Sequence, residues 1–306
     1  MTGLLNIVAD PATFATVLRV MTPLLIAALG ILISDRAGVF NLGMEGMMLT
    51  GALVGVLVSA WTGSAWLGLL AAVVAGGLMG ALMAFAVNTL GANLIITGIA
   101  MNLAASSGTT LGLFFATGDK GMSGALKSGV MPSIDLPLLG SIPVIGPFVS
   151  GHNVLTYGAL LAVPLVSLMM ARTAFGLRIR AVGVDPKAAA TVGISVKLIQ
   201  LKALILSGVL GGMAGAYLSM GYVSWFAQDM TAGRGFIAIA IEVMGMGTAW
   251  GTLAATVVIA IAETLAITMQ TLGLPNELMQ MIPYVVPIVI LTIWTARGRA
   301  KRAALK

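Results

Sequence analysis

The feature that most constrains this chain is a run between Arg36 and Asp119 that contains a single charged side chain, Glu45. A membrane-spanning helix needs about 20 consecutive apolar residues. Four uncharged apolar stretches are candidates: residues 65–87, 92–117, 155–171 and 203–224. Only 8% of all residues are charged, against about a quarter in soluble domains. We therefore expect an all-α polytopic membrane protein, since a β-barrel has shorter, alternating segments.

The distribution of Lys and Arg predicts which loops face the cytoplasm. Eleven of the 16 basic residues lie in two segments, 172–202 and 297–306, which the positive-inside rule makes cytoplasmic. An even number of crossings must separate these segments. Counting the apolar stretches from these two cytoplasmic segments predicts about nine spans, within a range of eight to ten. The C-terminus would then be cytoplasmic and the N-terminus outside. The predicted spans are residues 14–33, 42–60, 65–87, 92–117, 155–171, 203–224, 236–250, 251–270 and 282–295.

We expect one transmembrane domain over residues 1–306, without a separate soluble domain. Residues 118–151 contain four prolines and many glycines, which predicts an external loop. Residues 173–197 form a cytoplasmic loop, and residues 297–306 form a basic cytoplasmic tail. Residues 35–43 mix charge, glycine and asparagine at membrane depth, where irregular backbone must be buried in protein or line a cavity. This predicts at least one broken or re-entrant element, which would move the N-terminus to the cytoplasm.

Glycine spacing predicts close helix packing. Small residues four positions apart let the backbones of neighbouring membrane helices approach each other. The pairs are Gly51 with Gly55, Gly76 with Gly80, Gly208 with Gly212, Gly211 with Gly215, and Gly247 with Gly251.

Glu45 is the most informative polar residue inside a predicted span. A carboxylate at the centre of a membrane helix costs roughly 2.5–3.5 kcal/mol by insertion scales, and such residues usually face a partner or a cavity. Asn41 precedes it by four residues, which would place both on one helical face. Other polar groups in or beside predicted spans are Asn93, Thr97, Asn102, Arg234, Glu242, Glu263 and Gln270. Each is either a structural hydrogen-bonding group or part of a pathway, and Arg234 is a candidate partner for Glu242.

A second informative stretch follows Asp185. Asp185 and Pro186 are typical of a helix N-cap followed by proline at the first helical position. They predict a short helix over residues 187–192, ended by Gly193. Such a helix on a basic loop either docks into a soluble partner or merely connects two spans.

Several functions find no support in the composition. The chain has no cysteine and one histidine, His152, so neither disulfides nor a cysteine or histidine metal cluster is expected. The net charge of +6 reflects membrane topology, so no nucleic-acid partner is expected. No nucleophile–base pair and no GxxxxGK[ST] phosphate-binding loop is present.

Three segments resemble the membrane permeases of ABC importers. They are DRAGVFNLGMEGMMLTGAL (35–53), TAFGLRIRAVGVDPKAAATVGISV (173–196) and MTAGRGFIAIA (230–240). The resemblance runs over roughly residues 22–295 and is nearest to the nucleoside and simple-sugar type of the branched-chain amino-acid, ribose and nucleoside permeases.

This resemblance implies a permease subunit that works with other proteins. The expected partners are ABC ATPase subunits that hold ATP-Mg, a second permease subunit (identical or different), and an external substrate-binding protein. This chain itself would hold no cofactor and lie in a bacterial-type plasma membrane. The residues implied in ATPase coupling are Asp185, Pro186, Ala189, Gly193 and Ile194. The candidates for the substrate pathway are Asn41, Glu45, Asn93, Thr97, Asn102, Phe236 and Glu242.

Two other classes of membrane protein are alternatives. An ion-coupled secondary transporter would use Glu45, Glu242 and Glu263 as a proton relay. Such a transporter would explain neither the capped helix after Asp185 nor the family resemblance. The second alternative is a channel or a purely structural membrane subunit; a channel usually has a carbonyl-rich selectivity filter, and no such signature stands out.

Overall fold

The computed structural model describes residues 11–124, 126–134, 150–270, 281–290 and 292. These residues form helices joined by short connections. In chain order the helices are α1 Pro11–Asp35, α2 Met44–Thr62, α3 Ala65–Asn88, α4 Leu94–Thr117, α5 Val154–Arg172, α6 Ala174–Val184, α7 Pro186–Thr191, α8 Val196–Met220, α9 Arg234–Met244, α10 Ala249–Gln270 and α11 Met281–Ile290. Two short strands, β1 Ser133–Ile134 and β2 His152–Asn153, pair antiparallel.

Seven of the described helices are long and apolar enough to cross a membrane: α1 to α5, α8 and α10. Helices satisfy their backbone hydrogen bonds internally, which the hydrocarbon core of a bilayer requires. Large apolar side chains on the outer surface, among them Leu78 on α3 and Leu103 on α4, are exposed and suit contact with lipid. The prediction of an all-α polytopic membrane protein is confirmed.

Helix α8 lies at the centre of the bundle and packs closely against α2 and α3. A side chain at Gly76 would collide with the backbone of Gly208 and Gly212. A Cβ atom added at Gly51 would lie 2.6 Å from the Cα of Gly212. The close approach predicted from the glycine spacing is therefore present at these positions.

The first broken element lies between α1 and α2. We call the end of the bundle that carries α6 and α7 the basic end, and the opposite end the far end. Helix α1 finishes at the basic end, where Gly38 lies beside Gly183 of α6. Helix α2 begins deeper, with Asn41 just before it bonded to Ser207 within α8. Residues 36–43 thus rise into the bundle as irregular backbone, and Asn41 is fully buried. This confirms the prediction of a broken element.

The predicted span 236–250 is wrong as a single crossing. Helix α9 has eleven residues and is about 16 Å long, roughly half the bilayer's hydrocarbon thickness. A turn with positive φ at Met246 and Gly247 ends it, and α10 then begins at Ala249. The sequence prediction merged α9, the turn and the start of α10 into one span because all three segments are apolar. The half-helix runs from the middle of the bundle to the basic end.

Loops at the far end pack onto the segment that follows α8. The backbone amide of Phe226 donates to the Ser123 hydroxyl at 2.8 Å, and the Ser123 amide donates to the Phe226 carbonyl at 2.8 Å. The Asn153 side chain donates to the carbonyls of Met131 and Gly221. Three predicted segments lie wholly or partly outside the described residues. These are residues 125 and 135–149 of the loop 118–151, residues 291 and 293–295 of the span 282–295, and the whole tail 297–306.

We predict that Gly76→Ala lowers the melting temperature of the purified protein, whereas Gly158→Ala does not. The added methyl group would collide with α8 at position 76, and overpacking of this kind costs about 1–3 kcal/mol. No atom lies within 4 Å of a Cβ at Gly158 on α5. A differential melting experiment in detergent measures both variants. Equal melting temperatures would contradict the close packing of α3 on α8.

Candidate functional site

Glu45 caps the half-helix α9. Its Oε1 accepts a hydrogen bond from the amide of Gly233 at 2.8 Å, and its Oε2 accepts one from the amide of Gly235 at 2.6 Å. The first amides of a helix have no partner within the helix, and a carboxylate at that end also complements the helix dipole. A residue of α2 therefore satisfies backbone groups that would otherwise be unpaired inside the bundle.

Arg36 holds the opposite end of α9. Its Nε donates to the carbonyl of Gly247 at 2.7 Å, and its Nη2 donates to the carbonyls of Gly247 and Met246. A cation is favourable near the C-terminal end of a helix, where the free carbonyls lie. We call Arg36 and Glu45 together the clamp. Both residues flank the broken segment between α1 and α2, so one short stretch of chain fixes both ends of α9.

Asn41 fixes the broken segment from within. Its Oδ1 accepts from the amide of Gly43 at 3.0 Å, and its Nδ2 donates to the Ser207 hydroxyl at 2.8 Å. The expectation that Asn41 and Glu45 share one helical face is wrong, because α2 begins only at Met44. Asn41 instead supports the irregular backbone that leads to Glu45.

Asn102 on α4 supports the same segment from the other side. Its Nδ2 donates to the carbonyl of Leu42 at 2.8 Å, and its Oδ1 accepts from the amide of Gly46 at 2.9 Å. One side chain thus satisfies a carbonyl before α2 and an amide in its first turn. The structure brings Asn102, Asn41 and Glu45 together around the start of α2.

Arg234 pairs with Glu263 rather than with Glu242. Its Nη2 lies 3.1 Å from Oε1 of Glu263 on α10. Glu242 lies near the other end of α9 and is 3% exposed. The expectation that Arg234 pairs with Glu242, which rested on their closeness in the sequence, is therefore wrong. The ion pair instead ties the start of α9 to α10.

Tyr284 is a site residue that the sequence analysis missed. Its hydroxyl donates to the carbonyl of Ala232 at 3.0 Å, beside Gly233. The only available signal was a phenol within the apolar stretch 282–295. The start of α9 therefore contacts α2, α10 and α11.

The loop that enters α9 has strained backbone. Asp229 and Ala232 have φ values of 51° and 46°, and Gly233 follows with φ 77°. Non-glycine residues in this region cost about 1–3 kcal/mol each and are enriched at functional sites. The Ser106 hydroxyl of α4 donates to the Asp229 carboxylate at 2.8 Å, which helps to hold the loop in place.

The other predicted pathway residues are more dispersed. Asn93 caps α4 near the basic end, where its Oδ1 accepts from the amides of Ile95 and Ile96, and the Thr97 hydroxyl donates to the Asn93 carbonyl. These two residues lie a helix turn or more from Asn102 along α4. Phe236 is 49% exposed on α9, one residue beyond the amide held by Glu45. The pathway roles of all these residues stay predictions.

The short helix after Asp185 is present as α7. The Asp185 carboxylate accepts from the amides of Lys187 and Ala188 at 2.9 and 3.0 Å, and Pro186 is the first helical residue. The helix ends at Thr191, one residue before the predicted end. Gly193 then adopts φ 83°, a conformation that side-chain-bearing residues rarely adopt.

Ala189 and Ile194 seat α7 on the rest of the protein. Ala189 is only 4% exposed and belongs to the buried apolar core, against which Ile194 also packs. Helix α7 also adjoins a shallow cavity of about 480 Å³ beside α6, and Ala189 lies at its wall. Val184 and Val192 line this cavity and are 87% and 75% exposed. Exposed apolar side chains grouped at a polar surface are typical of an interaction site.

Comparisons with known proteins agree over nearly the whole chain. The family described as the permease component of branched-chain amino acid transport systems matches residues 13–291. The putative glucose ABC transporter permease protein TsgC13 of Haloferax volcanii is 34% identical, covering 99% of this chain and 94% of the relative. The guanosine ABC transporter permease protein NupQ of Bacillus subtilis is 34% identical, covering 92% and 91%. The nucleoside ABC transporter permease protein NupC of Lactococcus lactis is 30% identical, covering 94% of each. No solved structure gives a significant match.

Proposed function

The chain belongs to the family of permease components of branched-chain amino acid transport systems, and from this premise we propose that it is the membrane-spanning permease subunit of an ABC importer. The observation that carries the proposal is the continuous family match over residues 13–291. We propose a nucleoside or a simple sugar as the cargo, because relatives of nearly full length are named as nucleoside, guanosine and glucose ABC permeases.

The chain is a transporter subunit rather than an enzyme. ATP-Mg would be bound and hydrolysed by partner ATPase subunits, and an external binding protein would deliver the cargo. The apolar surface of α6 and α7, which includes Val184 and Val192, supports an ATPase docking site at the basic end. We propose that the basic end of the bundle and the basic C-terminal tail both face the cytoplasm of a bacterial-type plasma membrane.

The proposed pathway passes the start of α9, at an interface with a second permease subunit of the same or another kind. A nucleoside or sugar is uncharged and rich in hydroxyl groups, so its pathway needs hydrogen-bonding groups and some aromatic surface. Glu45, Asn102 and the exposed ring of Phe236 supply such groups within one region. The half-helix and its strained entry loop make this region the part of the bundle best suited to rearrange between transport states.

An ion-coupled secondary transporter receives less support from the described residues. Two of the three carboxylates that a proton relay would use have structural partners: Glu45 bonds to two amides of α9, and Glu263 pairs with Arg234. Of the three, only Glu242 has no hydrogen bond or ion pair to another described residue, and a single buried carboxylate does not form a relay.

Gentle purification of the full chain from its native membrane tests the proposal. We expect an ABC ATPase to co-purify, and vesicles containing the assembly to accumulate substrate only with ATP. A chain that purifies alone and transports under an ion gradient without ATP would contradict it.

The same preparation tests the docking surface. Val192→Glu places a charge on an exposed apolar residue of α7 and should reduce the recovered ATPase by about tenfold, since burying an unpaired charge is costly. Val130→Glu is the matched control, because Val130 is an exposed valine at the far end. Both variants should insert at the wild-type level. Equal ATPase recovery from the two would rule out docking at α7.

Substitution of Glu45 tests the pathway region. Glu45→Gln retains one oxygen acceptor but removes the charge, and hydrogen bonds to charged groups contribute about 1.5–3 kcal/mol. We expect ATP-dependent uptake to fall by about tenfold while assembly with the ATPase is retained. Asp119→Asn, which alters an exposed carboxylate at the far end, is the control. Wild-type uptake by Glu45→Gln would assign Glu45 to a dispensable packing role.

A further inference from the structure

A second cavity at the basic end adjoins both the clamp and the docking surface, because Arg36 of the clamp and Arg180 of the docking surface are among its lining residues. Its volume is about 270 Å³, and it lies between α1, α5, α6 and the turn that precedes α10. The residues that line it are Leu32, Arg36, Ser167, Met170, Ala171, Arg180, Gly247, Thr248 and Ala249. Two arginines therefore lie beside apolar side chains in one recess.

The polar groups of this cavity are mainly donors. Arg36 uses its Nε and Nη2 atoms to bond carbonyls of the turn after α9, and its Nη1 has no hydrogen-bond partner within the described part of the chain. Among the described residues, Arg180 and Ser167 have no hydrogen-bond or ion-pair partner. An arginine side chain has five N–H donors and no acceptor. A ligand that complements this lining must therefore supply acceptors.

The balance of charge favours an anion. Asp35 and Glu242 lie near Arg36, but no carboxylate is among the residues that line the cavity. Arg180, on the opposite side, has no carboxylate partner among the residues that the structure describes. The planar fork of a guanidinium group matches the geometry of a phosphate.

The depth of the cavity matches the lipid headgroup region. Ser167, Met170 and Ala171 belong to the last turns of the membrane helix α5, immediately before α6. Trp250, next to the lining residue Ala249, is 59% exposed, and exposed tryptophan is enriched at the membrane–water interface. Leu168, exposed on α5, offers apolar surface for an acyl chain.

We propose that this cavity binds the phosphate-bearing headgroup of an anionic membrane lipid, with Arg180, Ser167 and the free nitrogen of Arg36 as donors. Basic recesses between membrane helices on the cytoplasmic side are suited to such headgroups. Because Arg36 also holds the end of α9, a lipid bound here contacts the clamp directly. The site is independent of which cargo the permease carries.

The test measures the melting temperature of the purified full-length assembly in mixed micelles. Dioleoylphosphatidylglycerol, dioleoylphosphatidylcholine and inorganic phosphate are titrated separately into the wild type, Arg180→Gln, Arg180→Lys and Arg178→Gln. Arg178 is the matched control, because it is an exposed arginine of α6 that does not line the cavity.

We expect phosphatidylglycerol to raise the melting temperature of the wild type and of Arg178→Gln by about 3 °C or more, as binding to the folded state does. Arg180→Gln should lose most of this shift, and Arg180→Lys should retain part of it. Equal shifts with phosphatidylcholine, or equal shifts in the two glutamine variants, would overturn the proposal. A similar shift with inorganic phosphate alone would overturn the lipid assignment and indicate a free-anion site.

Discussion

The hydrogen bonds from Gly233 and Gly235 to the Glu45 carboxylate are the interaction on which the rest of the site depends. Helix α9 begins inside the bundle, where its first amides have no preceding helical turn to bond to. Without an acceptor at this position, a half-helix within the membrane would carry unpaired backbone donors. Glu45 removes that cost, and the cost of burying its own charge is offset at the same time.

This constraint brings together two parts of the sequence that are almost 200 positions apart. The stretch from Arg36 to Glu45 holds both ends of α9, while Asn41 and Asn102 hold the stretch itself. Close glycine contacts between α8 and its neighbours keep the surrounding bundle narrow enough for these short bonds. The proposed lipid site includes Arg36, which holds the end of α9. The same half-helix is therefore in contact with the bundle, with the proposed pathway and, through Arg36, with the proposed lipid.

The long helices and α7 were predictable because their signals are local. An uncharged run such as residues 65–87 has few alternatives in a membrane, and Asp185 caps a helix that starts at the next residue. The half-helix was not predictable, since the apolar run continues through the turn at Met246 and Gly247. The partner of Arg234 was also misidentified, because Glu242 is nearer in sequence but at the other end of α9. Tyr284 gave almost no signal, as its contact depends on how α11 packs.

The most direct test of this account is a solid-state NMR distance between the Glu45 side-chain carboxyl carbon and the glycine amide nitrogens, measured in bilayers. The sequence has four glutamates, so selective carbon labelling of glutamate with nitrogen labelling of glycine gives a tractable spectrum. We expect strong dipolar coupling from the Glu45 carboxyl carbon to two glycine amides, consistent with N–O distances of 2.8 and 2.6 Å. A Glu45 carboxyl carbon without coupling to any glycine amide would contradict it.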